Sequence, residues 1–141
     1  HDRISPSSTI LRDDETYGFL FLDIRPEESF AEFASRTQAE LDAFHRDSEG
    51  GMKDKKDRDD VMHGTVLSWL DFTSFEHAMG DWVNTSIPKF VFGKLVQGEK
   101  DNCWSQAFCL HVHHGLMDGL HVGRYMEKLQ ANFDRCAEIL S

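Results

Sequence analysis

His113–His114–Gly115–Leu116–Met117–Asp118–Gly119 sits between an apolar run, Trp104 to His113, and the strongest amphipathic repeat in the chain. Phe108, Leu110 and Val112 alternate within the run, the period of a strand with one face buried. Downstream, Val122, Tyr125, Met126, Leu129, Phe133, Cys136, Ala137 and Leu140 recur at three- and four-residue steps, which predicts a helix with one apolar face. The heptapeptide is therefore expected to be a strand-to-helix junction. Such junctions hold side chains firmly while leaving them reachable. Continued alternation would put His114 on the face of Leu110 and Val112, with one ring nitrogen against apolar surface, where it stays neutral and basic. Asp118, four residues on across a glycine-flanked turn, is expected to fold back near it. A neutral imidazole suits the removal of a proton from a hydroxyl near neutral pH.

Outward from this junction the pattern alternates between strands and helices. Phe90 to Val96 reads as a strand, joined to Trp104–His113 by a polar hairpin loop over Gln97–Asn102. Val61 to Phe75 reads as a strand or strand pair. Lys53 to Asp60 is an unbroken charged run of four basic and four acidic residues, expected to be a solvated loop without net field. Phe30, Phe33, Ala34, Thr37, Leu41 and Phe44 mark a helix, with Ser29 as its N-cap, acidic residues at its start, and Gly50–Gly51 beyond its end. Tyr17 to Ile24 reads as a strand ended by Pro26, preceded by a short strand near Thr9–Arg12. No repeat or linker divides the chain, so a single domain over residues 1–141 is expected, of α/β class.

Composition narrows the function classes. A net charge of −10 argues against sequence-independent nucleic-acid binding, which needs a basic footprint. No stretch approaches the roughly 18 apolar residues of a membrane span. Cys103, Cys109 and Cys136 are odd in number and lack CxxC spacing, which suggests reduced thiols in a cytoplasmic protein.

The string His113–His114–Gly115–Leu116–Met117–Asp118–Gly119, followed by His121–Val122–Gly123–Arg124, is similar to the signature of the chloramphenicol acetyltransferase family. His-x-x-x-Asp-Gly alone is shared with dihydrolipoyl acyltransferase cores, plant acyltransferases and condensation domains. Trp69–Leu70–Asp71–Phe72–Thr73–Ser74–Phe75 resembles the family's Pro-Trp-x-x-Phe-x-Ser-Phe segment, and Pro88 to Lys94 resembles its Pro-x-x-x-x-Gly/Ala-Lys strand. Ile4–Ser5–Pro6–Ser7 and the spacing through Phe30 and Phe33 match as well, so the likeness runs along essentially the whole chain.

The resemblance implies a mixed sheet with helices packed on one side, the coenzyme A–dependent two-layer sandwich, and an O-acetyltransferase. Acetyl-CoA is the implied co-substrate, without a resident cofactor, and chloramphenicol or a similar small alcohol the implied acceptor. His114 is the implied base. Asp118 organises the site through an ion pair. Thr65, four residues before Trp69, stands where the family has a serine that stabilises the oxyanion. Trp69 and Lys94 line the coenzyme A channel. Family chains form trimers with the active site between subunits, so a homo-oligomer is expected. They also carry a longer N-terminal section, which supplies an arginine to the aspartate. Asp118 is accordingly expected to lack that partner, with Arg124 or another basic group in its place.

Two other readings follow from the same residues. A truncated, inactive module of the same fold would associate without turning over substrate. A metal-binding protein would use His111 and His113, which lie two apart on a strand, with His114, His121 and Asp118 nearby.

Overall fold

A computed structural model describes residues 4–46, 60–77, 85–99 and 103–140. Gly50–Gly51, nearly all of the charged run and the tip of the predicted hairpin loop lie outside the described residues. Five strands form one sheet: β1 (Ser5–Leu11), β2 (Tyr17–Phe21), β3 (Val61–Val66), β4 (Lys89–Gln97) and β5 (Trp104–His111), in the order β2-β1-β3-β4-β5. The outer pairs β1–β2 and β4–β5 are antiparallel, and the inner pairs β1–β3 and β3–β4 are parallel. The sheet is thus mixed, as the sequence suggests.

Helix α1 (Phe30–Arg46) starts at Ser29, whose hydroxyl accepts the Glu32 N–H at 3.3 Å while the Glu32 carboxylate accepts the Ser29 N–H at 2.9 Å. This reciprocal pair is a capping box. Phe44 docks α1 on the sheet beside Gly18, and the Arg12 guanidinium stacks on its ring at 4.5 Å. Helix α2 (Gly119–Asp134) lays Tyr125 over Phe108 and Phe133 edge-on to Phe92. Registered strand pairs put Gly18, Ile10, Ser8, Gly64, Phe90, Phe92 and Phe108 on one face. Both helices therefore cover the same side.

Three expectations change. The strand expected over Val61–Phe75 ends at Val66, and Leu67–His77 instead crosses the other face of the sheet. A bulge between Phe92 and Leu95 explains the change: it turns the Lys94 N–H away from β5 and onto the Leu70 carbonyl at 2.8 Å. Gly93 lets the segment come that close, since a Cβ there would stand 3.0 Å from both the Leu70 carbonyl oxygen and the Phe72 ring. Strand β5 stops at His111, two residues short, because the next residue facing it, Ile87, gives its N–H to Thr85 Oγ1 at 3.2 Å instead, while the Pro88 carbonyl is turned to the His63 N–H of β3. The last helix breaks at Arg135 (φ −110, ψ 16) and restarts as the single turn α3 (Cys136–Ile139). Cys136, Ala137 and Leu140 are exposed there rather than packed.

Among the described residues only Val61 and Val91 are fully buried apolar side chains. Much of the chemistry on the uncovered face is polar. Ser7, 2% exposed, holds His63 Nδ1 at 2.6 Å, and the His63 ring packs on Phe19 at 5.4 Å.

Two outcomes are expected. A Cβ at Gly64 would fall 2.3 Å from the Phe90 ring, so Gly64→Ala should cost about 1–3 kcal/mol in chemical denaturation, partly recovered by Phe90→Leu in the same chain. Burial first, and then the Lys89 charge, lower the His63 pKa from 6.5. The unfolded chain thus binds the proton more readily, and the stability is present above the unfolded value and lost as pH falls through the lower folded one. The denaturation midpoint should drop below about pH 6.5 less steeply in His63→Gln than in the unmodified chain.

Candidate active site

The β5–α2 junction is built from backbone hydrogen bonds. The His113 carbonyl accepts the N–H groups of Leu116 at 2.9 Å and Met117 at 3.1 Å, closing a turn over His114–Leu116. The Gly115 N–H donates to His113 Nδ1 at 3.1 Å. His114 stands at the head of this turn, exposed, and its ring makes no hydrogen bond to any described residue. Because β5 ends at His111, alternation does not carry His114 onto the face of Leu110 and Val112. The expected packing of its ring against apolar surface is replaced by solvent.

Asp118 does not fold back onto His114. It is the N-cap of α2, accepting the N–H groups of Leu120 at 3.0 Å and His121 at 3.1 Å. His121 Nδ1 lies 2.7 Å from Asp118 Oδ1 and 3.4 Å from the Asp118 backbone nitrogen: protonated, it donates to the carboxylate, and with the proton on Nε2 it accepts the Asp118 N–H and closes a capping box. The basic group paired with Asp118 is therefore His121, three residues on in the chain, rather than Arg124. Hydrogen bonding by the His121 N–H, with the His121 charge and ring adding to it, holds the Asp118 carboxyl below its ordinary value of 3.8. The sequence carried the signal: Asp-x-x-His at a helix start can close a capping box as Ser-x-x-Glu does.

Thr65 lies within β3, on the face away from the helices, in register with Val91 and Cys109. Its hydroxyl is uncommitted among the described residues. His63, Lys89 and His111 form the next rung along. Two strand spacings and two residues of rise put Thr65 and His111 about 12 Å apart, with His114 three residues further out. One chain does not bring Thr65 and His114 together by a hydrogen bond. Trp69, 74% exposed, precedes Leu70, whose carbonyl accepts the Lys94 N–H, so the two positions are linked through the backbone.

A cluster of rings that sequence reasoning passed over lies on the same face as Thr65. His77 meets His111 edge-on at 4.8 Å and Phe75 at 5.0 Å. Burial, and then the His111 and Lys89 charges, lower the His77 pKa. Among the described residues no group of three or more His, Cys, Asp or Glu stands close enough to hold a metal ion. No helix among them is long and apolar enough to cross a membrane.

The Asp118 cap sets the pitch of the turn that carries His114. Asp118→Ala should lower the thermal midpoint and the helical circular dichroism more than Asp118→Asn, whose carbonyl oxygen still accepts the Leu120 and His121 N–H groups. Equal effects would mean that the cap is not what anchors α2.

The chloramphenicol acetyltransferase family model matches residues 1–130. A chloramphenicol acetyltransferase of Bacillus pumilus is 30% identical over 138 residues, covering 98% of this chain and 61% of its own length. The chain spans about three fifths of the length of the curated relatives it matches first. A solved chloramphenicol acetyltransferase superposes with a TM-score of 0.75 at 18% identity, over 93% of this chain and 62% of that one. The dihydrolipoamide acetyltransferase of Azotobacter vinelandii superposes with a TM-score of 0.63 at 13% identity, over 100% of this chain and 58% of that one. Two solved structures of the same α/β fold thus differ in the substrate their names give. By the extent of the family match along its sequence, this chain belongs to the chloramphenicol acetyltransferase family.

Proposed function

We propose that the chain carries the catalytic histidine of an O-acetyltransferase that moves an acetyl group from acetyl-CoA to the hydroxyl of chloramphenicol or a similar small alcohol. The observation that carries this is His114 itself: exposed, uncommitted, and set at the head of a turn pinned by the His113 carbonyl on one side and the Asp118 cap on the other. A general base needs that combination of fixed backbone and free ring nitrogen.

In the proposed reaction His114 takes the proton of the acceptor hydroxyl. The oxygen attacks the thioester carbonyl, and the tetrahedral oxyanion receives a hydrogen bond from the Thr65 hydroxyl. The carbon–sulfur bond then breaks, and the protonated His114 returns its proton to the coenzyme A thiolate. No enzyme nucleophile or metal enters, and acetyl-CoA is a co-substrate rather than a resident cofactor. Trp69 and Lys94, on segments joined by the Lys94 N–H to Leu70 carbonyl bond, suit the coenzyme A channel. Asp118 acts on the backbone of the turn, through the cap and its pair with His121.

The separation of Thr65 from His114 along the sheet favours a homo-oligomer, with His114 of one copy facing a pocket built by the next. A soluble cytoplasmic enzyme conferring chloramphenicol resistance would be the biological counterpart.

Free-thiol release from acetyl-CoA, with chloramphenicol as acceptor, tests the proposal. His114→Ala should abolish turnover. Thr65→Val should slow it about 100- to 1000-fold, and Thr65→Ser should retain most of it. A folded chain that releases no thiol with chloramphenicol or other small alcohols would be an inactive module of the same fold.

A further inference from the structure

Trp69 stands at the tip of a β-turn whose two ends are both fastened to β4. The Leu70 N–H donates to the Leu67 carbonyl at 3.0 Å, closing the turn Leu67–Ser68–Trp69–Leu70. The Leu67 N–H donates to the Phe92 carbonyl and the Lys94 N–H to the Leu70 carbonyl, both at 2.8 Å, so the turn straddles Gly93. The bulge makes this docking possible. Phe92 faces Phe108 and Leu95 faces Gln106, so two residues, Gly93 and Lys94, stand opposite the single Ala107. The backbone groups that the bulge takes out of the ladder find partners elsewhere. The Lys94 N–H goes to the turn, and the Gly93 carbonyl accepts the side-chain amide of Gln106 at 2.8 Å. Of the β5 residues opposite the bulge, Ala107 and Phe108 carry no side-chain donor, which leaves Gln106.

We propose that Gln106 is a positioning residue for coenzyme A: its amide clamps the β4 bulge, and the clamped bulge holds the turn that presents Trp69 near Lys94. The inference rests on the reading of Trp69 and Lys94 as coenzyme A residues. The Gly93 carbonyl and the Lys94 N–H are the two ends of one planar trans peptide, so they point in opposite directions and turn together. Gln106 grips one end and Leu70 the other. Released on the Gln106 side, the plane is free to rotate toward water and carry the Lys94 N–H off Leu70. Glycine at position 93 leaves that rotation little hindered, so the plane needs a grip from outside. The turn has little else to keep it in place, since Ser68 and Trp69 are both exposed. Gln106 thus acts on coenzyme A through the backbone, without being part of the surface that meets it.

Two substitutions at this exposed position make the test. Gln106→Met keeps the length of the side chain and removes the donor. Gln106→His returns a donor of similar reach, uncharged above about pH 7.5. Each full chain is titrated with free coenzyme A, proton–nitrogen spectra follow hydrogen exchange of the backbone amides, and thiol release from acetyl-CoA gives kcat and KM. Gln106→Met should weaken coenzyme A binding about three- to tenfold, the worth of one hydrogen bond, and raise KM for acetyl-CoA more than it lowers kcat. The Leu67 and Lys94 amides should exchange faster by a similar factor, while the Leu116 and Met117 amides of the His114 turn stay as they were. Gln106→His should restore affinity and exchange together. Unchanged coenzyme A affinity in Gln106→Met, equally faster exchange at Leu116 and Met117, or the same loss in Gln106→His overturns the proposal. Faster Lys94 exchange in a chain that binds no coenzyme A would leave the clamp standing and sink the coenzyme A reading. Turnover of acetyl-CoA with the same KM in Gln106→Met would sink the positioning role and leave the acetyltransferase reading intact.

Discussion

The antiparallel ladder between β4 and β5 ends at the pair Lys89–His111, and the site geometry follows from where it ends. The Ile87 N–H, next in line to face β5, goes to Thr85 Oγ1, so Val112 and His113 leave the sheet. The chain then has a short distance in which to turn and enter α2. It does so with the His113 carbonyl gathering two N–H groups and Asp118 capping the helix. His114 is exposed because the strand is already over when it is reached. Had pairing run two residues further, the ring would have been committed to one face of the sheet.

What holds the junction in place is aromatic packing on the covered side. Tyr125 over Phe108, and Phe133 against Phe92, fix α2 to the two strands whose ladder ends below it. Phe90 and Phe92 in turn contact Phe108 within the sheet. Such contacts add about 0.5–1.5 kcal/mol each beyond the area they bury. They matter here because fully buried apolar side chains are so few among the described residues. The other face works differently. It carries a rung of His63, Lys89 and His111, with Ser7 and His77 in contact, and the Leu67–His77 segment lies across its neighbour strands.

The sequence made the sheet, both long helices and the junction legible because those depend on local periodicity and on Gly, Pro and capping residues. Ser29 and Glu32 close their box as the pattern suggests. Three things were not legible, and each is a tertiary effect. Nothing local shows that a bulge at Gly93–Lys94 will divert an N–H to Leu70 and turn Leu67–His77 from strand into a crossing segment. The end of β5 is set by the turn of Thr85 and Ile87 ahead of its neighbour strand rather than by its own residues. The His77–His111 contact joins positions 34 residues apart, and only the fold brings them together. The Asp118 partner was nearer to hand than expected, since His121 could have been found from the capping pattern alone.

That partner changes how a histidine base can be supported here. In many hydrolytic sites a carboxylate orients the imidazole directly. Asp118 Oδ1 accepts the Leu120 and His121 N–H groups and lies against the His121 ring, and no hydrogen bond joins the carboxylate to His114. Its influence on His114 is exerted through the backbone, by fixing where the turn ends. In the proposed role of His114 the orientation of the ring would then come from what fills the space before it, so that the base would be completed by binding rather than by a described residue of the chain.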